Sequence, residues 1–349
     1  MALGLPRVKE PPPIKHYTPR RNRTRDQDPN GLPHKVYLPF AQGGGRRPHG
    51  PSKLGVHTIH SGGAEDLVQQ VAEAGARVAL VKALDQFGYL SIVKEVSPET
   101  VTVARSSNTT CGEGIQPIYD PAEAALWKMS CFMPAWENDR QNVDYWEVLN
   151  EVDPAPDEHP HGHAWLGEFY IECMEIAEQN GYKLALFSYA VGVPELEEWE
   201  AIVDTGVFSR AKQGGHILAL HEYNWSRMSD DWMPLPGNPP DSKDRGWLTG
   251  RYRHLYEEFL SPRNQVIPLV ITEAGYDPGA DKDEPGWDDD WLKRYVDDMA
   301  WYDDRLREDN YVIGCALFTL GPNSRWENWD YAEVKDDLRD YIISLKDAP

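Results

Sequence analysis

The stretch "YWEVLNEVDP", residues 145–154, sets the reading of the whole chain. Three apolar residues, Trp146, Val148 and Leu149, are followed at once by Asn150 and Glu151, with a proline at Pro154. An apolar run bounded by turn residues reads as a buried strand. A strand ending there leaves the Glu151 carboxylate on the rim of a sheet. One glutamate supplies no reason for that placement, so the question is whether a second carboxylate reaches the same rim.

Working outward, seven further runs read as strands: 55–60, 77–82, 100–105, 183–188, 216–221, 267–272 and 314–319, beside 145–150. Most are separated by stretches with helical spacing, among them 64–75, 121–132, 164–181, 289–308 and 332–345. Pro121 opens one of these and Gly75 and Gly181 close two others. The stretch "LSIVKEVSPE" (90–99) reads as hairpin-like, which leaves the second connection short of a helix. Alternating strands and helices imply a parallel sheet, and eight such units over this length predict a closed (β/α)8 TIM barrel. A doubly wound sheet is the alternative, but no GxGxxG turn follows the first strand.

The chain has 349 residues, 40% of them hydrophobic and 11% aromatic, enough for one large barrel core over residues 51–349. The net charge of -22 and pI of about 4.9 exclude nucleic acid as a partner of the barrel, since such a surface repels phosphates. Thirteen tryptophans and seventeen tyrosines fit a large core and also sugar binding. Residues 1–50 differ: Pro11–Pro13, "RRNRTR" (20–25) and "GGGRRPHG" (43–50) make an irregular basic arm. The arm reads first as a strap on the acidic body, and second as a tether to a further domain. The four cysteines have no metal-site spacing; Cys173 and Cys315 read as core thiols, and a bridge between any two stays open. No apolar run reaches membrane-spanning length and "MALGLPRVKEPPPIK" lacks a leader's apolar region. Localisation is left undetermined, with an extracellular site compatible if a leader has been removed.

In a barrel of this kind the site gathers at the carboxyl ends of the strands. Those ends offer His57 and His60, Lys82, Arg105, Asn150 and Glu151, His221 and Tyr223, and Glu273 in "PLVITEAG" (268–275); Trp326 and Trp329 follow the last strand. Glu273 is the second rim carboxylate. Two such groups facing each other suit retaining glycoside hydrolysis, one giving a proton to the leaving oxygen and the other attacking the anomeric carbon. Glu147 shares a strand face with Glu151; if that face is interior it needs a partner, which Lys82 or Arg105 can supply.

With Asn-Glu ending strand 4 ("WEVLNE", 146–151), Glu ending strand 7 ("ITEAG", 271–275) and "HEY" (221–223) on strand 6, the chain resembles the clan A, or 4/7, glycoside hydrolases. The resemblance implies that Glu151 is the acid/base and Glu273 the nucleophile. It also implies that Asn150 binds a sugar hydroxyl, Tyr223 holds Glu273 ionised, and His221 orients the acid/base or a hydroxyl. The chain departs from the clan in three places. Val152 and Asp153 intervene before Pro154, Lys82 stands where strand 2 often carries Arg, and Phe318 occupies strand 8 where a Trp is common. Arg105 is the candidate substitute for the missing Arg. Substrate contacts are expected from Asn150, His221, Tyr223, His57, His60, Arg105, Trp225, Trp326 and Trp329.

The expected activity is endo-acting hydrolysis of a β-linked oligo- or polysaccharide, with no cofactor and no metal. An exo-glycosidase, a cell-wall-lysing glycosidase and a non-catalytic carbohydrate-binding barrel are the rivals. "HPHGH" (159–163) reads as a polar loop rather than a metal site, and Asp283 and Asp288–Asp290 around Trp287 as a solvated acidic loop. Trp225, Trp232 and Trp247 lie in or flank a long loop after strand 6, where exposed rings would make stacking subsites.

Overall fold

The computed structural model describes residues 47–107, 109–154, 158–224, 227–229, 246–276 and 291–349. Eight strands pair in chain order, all parallel: β1 (Leu54–Thr58), β2 (Leu80–Leu84), β3 (Val101–Arg105), β4 (Tyr145–Glu147), β5 (Leu184–Tyr189), β6 (Ile217–Asn224), β7 (Leu269–Tyr276) and β8 (Val312–Leu320). β8 pairs back onto β1 and closes a (β/α)8 barrel.

The outer layer comprises α1 (Ala64–Glu73), α2 (Leu90–Val96), α3 (Pro121–Trp136), α4 (Gly162–Gln179), α5 (Glu198–Asp204), α6 (Val207–Gly214), α7 (Tyr252–His254, running into a π-helical Leu255–Leu260), α8 (Trp291–Arg307) and α9 (Lys335–Ser344). The hairpin expected over 90–99 is a helix instead. Ile92, Val93 and Val96 suggest a strand, but Leu90 and Val93, three apart, form the buried stripe of α2. The second βα unit is therefore complete. α3 begins as its sequence predicts, with Asp120 accepting from the backbone N–H groups of Ala122 and Glu123 at 3.0 and 3.2 Å and Pro121 in the first turn. Its Trp136 stacks on Trp146 of β4 with ring centroids 4.8 Å apart, locking the strand to its covering helix.

Of the basic arm, residues 1–46 lie outside the described residues. Its last residues lie on the barrel, Gly50 donating from its N–H to the Pro349 carbonyl at 2.7 Å and accepting from Arg307 at 2.9 Å. Trp225, Trp232, Trp287, Asp283 and Asp288–Asp290 also lie outside the described residues. No described helix is long and apolar enough to cross a membrane.

The barrel interior has two levels. Leu80, Val103, Ala185, Ile217, Ala219, Val270 and Ala316 form an apolar plug. Two residues further along β2, β3 and β6, the same inward face carries Lys82, Arg105 and His221, as period-2 alternation requires. The ladder register pairs Arg105 with Glu147 of β4, and Glu147 contacts the Lys82 ammonium directly. Lys82 and Glu147 are both fully buried. Removing Lys82 breaks the close pair and leaves buried Glu147 with the longer, 3.6 Å contact to Arg105, whereas replacing both with apolar groups strands neither. Lys82→Met alone is therefore expected to cost about 3–5 kcal/mol, and the Lys82→Met/Glu147→Met double variant far less. Equal losses in denaturant titrations would contradict the pairing.

Candidate active site

Strand β4 stops at Glu147, three residues sooner than its apolar run suggests, so Val148–Glu151 leave the ladder at the barrel mouth. Glu151 takes a left-handed backbone, φ 52°, and its N–H donates to the Ser188 carbonyl of β5 at 2.9 Å. A non-glycine residue rarely sits there, and the turn swings the side chain toward β6. Oε1 of Glu151 lies 2.9 Å from Nδ1 of His221, while the rest of the carboxylate is open to solvent.

Glu273 sits in a different environment. Its side chain is 8% exposed against 39% for Glu151. Oε1 accepts from Nη1 of Arg105 at 2.9 Å, and Oε2 accepts from the Tyr223 hydroxyl at 3.0 Å. Nδ1 of His221 is 3.7 Å from Oε2, and Nε2 of His57 is 3.9 Å from Oε1. Burial alone would push this carboxyl up. The groups around it, His221 and Arg105 foremost, outweigh burial and hold it well below the usual carboxylate range. Tyr223 is pushed the other way, by burial first and then by Glu273 and Glu151, so its hydroxyl stays a donor. His57 is kept neutral by complete burial and bonds through Nδ1 to the Thr319 hydroxyl at 2.9 Å.

Arg105 is the hub of these contacts. Besides Glu273 it faces Glu147 at 3.6 Å and, through Nε, Glu113 at 2.7 Å. The Nε–Glu113 contact lacks the alignment of a hydrogen bond, so its attraction is Coulombic. Glu113 belongs to the loop between β3 and α3, and its carbonyl accepts from the Asn150 N–H at 3.3 Å. A disulfide joins Cys111 in this loop to Cys131 on α3, and Lys128 of the same helix donates to the carbonyls of Cys111 and Gly112 at 3.0 and 2.8 Å. Cys173 and Cys315 are free and buried.

The structure thus brings Glu151, Glu273, Asn150, His221, Tyr223, His57 and Arg105 to one mouth. Trp326 and Trp329, half-buried, pack around Phe318 and Tyr223: Trp329 lies 5.5 Å from each ring and Trp326 5.2 Å from Phe318. His60 is not in the cluster; it is exposed and bonded to Gln86. Trp247 is exposed and carries the Arg251 guanidinium over its ring at 4.7 Å. In the "HPHGH" stretch, His163 is buried on α4 between the Tyr189 hydroxyl and Glu198, while His159 is half-buried and His161 exposed. Sequence reasoning missed Glu113: it lies in a loop, "TTCGEG" (109–114), with no periodicity to place it.

Glu151, His221 and Glu273 each offer a donor atom within 4.8 Å of the others, the spacing of a metal-ligand group. Both oxygens of Glu273 already accept from Arg105 and Tyr223, however, and a divalent ion there would meet the guanidinium's charge.

No family profile matches the chain, and no curated protein sequence does. Solved structures similar to it include a GH5 xyloglucan-specific endo-β-1,4-glucanase from a metagenomic library in complex with cellotriose. It is 14% identical, over 84% of this chain and 96% of that one, with a TM-score of 0.49. A β-glucuronidase from Faecalibacterium prausnitzii is 12% identical over 86% of this chain and half of that one, TM-score 0.49. A GH128 endo-β-1,3-glucanase from Pseudomonas viridiflava is 17% identical over 84% and 97% of the two chains, TM-score 0.39. These neighbours are glycoside hydrolases.

The lowered Glu273 carboxyl contributes stability that is fully present above its unfolded value of about 4.3 and is lost as pH falls through its folded value. Acidification below about pH 4.3 is therefore expected to destabilise the native chain more steeply than Glu273→Gln. Parallel acid profiles in urea titrations would contradict this.

Proposed function

We propose that residues 51–349 form a retaining glycoside hydrolase that cleaves β-glycosidic bonds, with Glu273 as nucleophile and Glu151 as acid/base. The observation that carries the reading is the pair itself: a Glu151 and a Glu273 oxygen within 4.8 Å of each other, in unlike surroundings. Retaining enzymes hold their carboxyls about 5–5.5 Å apart, whereas inverting ones leave about 6.5–9.5 Å for a water.

The unlike surroundings divide the roles. Glu273, buried against Arg105 and Tyr223, stays ionised and aimed. One of its oxygens attacks the anomeric carbon while the glycosidic bond breaks and its electron pair goes to the leaving oxygen. Glu151 faces solvent and His221, where it gives its proton to that oxygen. Its carboxylate then takes a proton from the water that cleaves the ester, returning Glu273 to the carboxylate. Asn150 beside Glu151 supplies an amide for a sugar hydroxyl. Trp326 and Trp329 offer apolar faces for stacking, which supports an extended β-linked glycan and endo-action over a closed exo-pocket. The basic arm, residues 1–50, is read as an appendage of this barrel.

A turnover screen on β-glycans and aryl β-glycosides tests the proposal. Glu273→Ala and Glu151→Ala are each expected to lower kcat/KM by about 10³-fold or more. Azide should rescue Glu273→Ala as a glycosyl azide of inverted configuration. Undiminished turnover by Glu273→Ala refutes the mechanism. Binding of glycans without turnover by the native chain would favour a carbohydrate-binding barrel.

A further inference from the structure

Arg105 is buried, 5% exposed, and cannot shed its charge. In the free site Glu273 is its counter-ion. The mechanism proposed above removes that counter-ion for half of each cycle: once Glu273 is bonded to the anomeric carbon it is a neutral ester. A buried guanidinium then has to be balanced from elsewhere. Glu147, 3.6 Å away, is already matched: it contacts Lys82, and whichever partner holds the shared proton the pair carries no net charge. Glu113 remains, 2.7 Å from Nε on the side of the guanidinium away from Nη1.

We propose that Glu113 is a positioning residue that acts through Arg105, serving as its counter-ion while Glu273 is esterified. This rests on the retaining reading. Glu151 has given up its proton by then and also acts on Arg105, but from beyond ion-pair distance, so Glu113 is the carboxylate that meets the guanidinium directly once Glu273 is neutral. Glu113 is held for this role. The Cys111–Cys131 disulfide and the two carbonyl bonds from Lys128 fix its loop, and the Asn150 N–H holds its own carbonyl.

The charge change falls on one step, so the test must separate the steps. The probes are a dinitrophenyl β-glycoside of the sugar found in the screen and its 2-deoxy-2-fluoro analogue, with adduct formation followed by intact mass on the full chain. Glu113→Gln is expected to form the adduct on Glu273 at least tenfold more slowly than the native chain. It should hydrolyse the preformed adduct no more slowly and keep its Tm. Glu113→Asp should recover part of the loss. A merely structural role would slow both steps alike, and that result overturns the proposal, as does adduct formation by Glu113→Gln at the native rate. An absence of any adduct on Glu273 in the native chain overturns the retaining reading itself, so the two failures are distinguishable.

Discussion

A guanidinium inside a closed barrel has to be neutralised where it stands, and the upper interior is arranged around that demand. Arg105 ends β3 pointing inward. Glu273 reaches it from β7, Glu113 from the loop above and Glu147 from the neighbouring strand, with Lys82 of β2 matching Glu147 in turn. Strand register is thereby tied to electrostatics. A one-residue slip of β3 or β4 would turn Arg105 or Glu147 outward against the helices and strand its partner in low dielectric. The apolar plug beneath excludes water from below, which strengthens each of these contacts.

The same arrangement makes the two rim glutamates different. Both are strand-end carboxylates, and nothing in their side chains distinguishes them. Glu273 is walled in by donors that favour its anion, whereas Glu151 stands beyond the ladder with a single imidazole contact and solvent around it. The asymmetry comes from where β4 stops and where β7 continues, since β7 runs on through Glu273 to Tyr276 and keeps it inside.

Much of this was legible in the residues. The eight strand runs, the inward period-2 residues and the positions of Asn150, Glu151, His221, Tyr223 and Glu273 follow from patterns local to each segment, and local patterns survive folding. What escaped reading depends on contacts distant in sequence. The helix Leu90–Val96 is rich in β-branched residues and is helical because its buried stripe packs against the barrel. Glu113 acquires a neighbour only when its loop folds over β3, and the Cys111–Cys131 pairing is set by the same fold. Trp326 and Trp329 could be named from the sequence, but their packing, both against Phe318 and Trp329 also against Tyr223, is set by the fold. His60 went the other way: its place near a strand end suggested a substrate contact, yet it turns outward to Gln86.

The left-handed backbone of Glu151 sets stability against chemistry. A residue other than glycine held at φ 52° carries strain of about 1 kcal/mol or more. Glycine relieves that strain, so the Glu151→Gly chain starts with a thermodynamic advantage at this position while lacking the acid. A library of this protein screened for heat resistance alone would enrich glycine at 151 and drift toward an inert barrel. A workable screen for robust variants has to read turnover in the same pass.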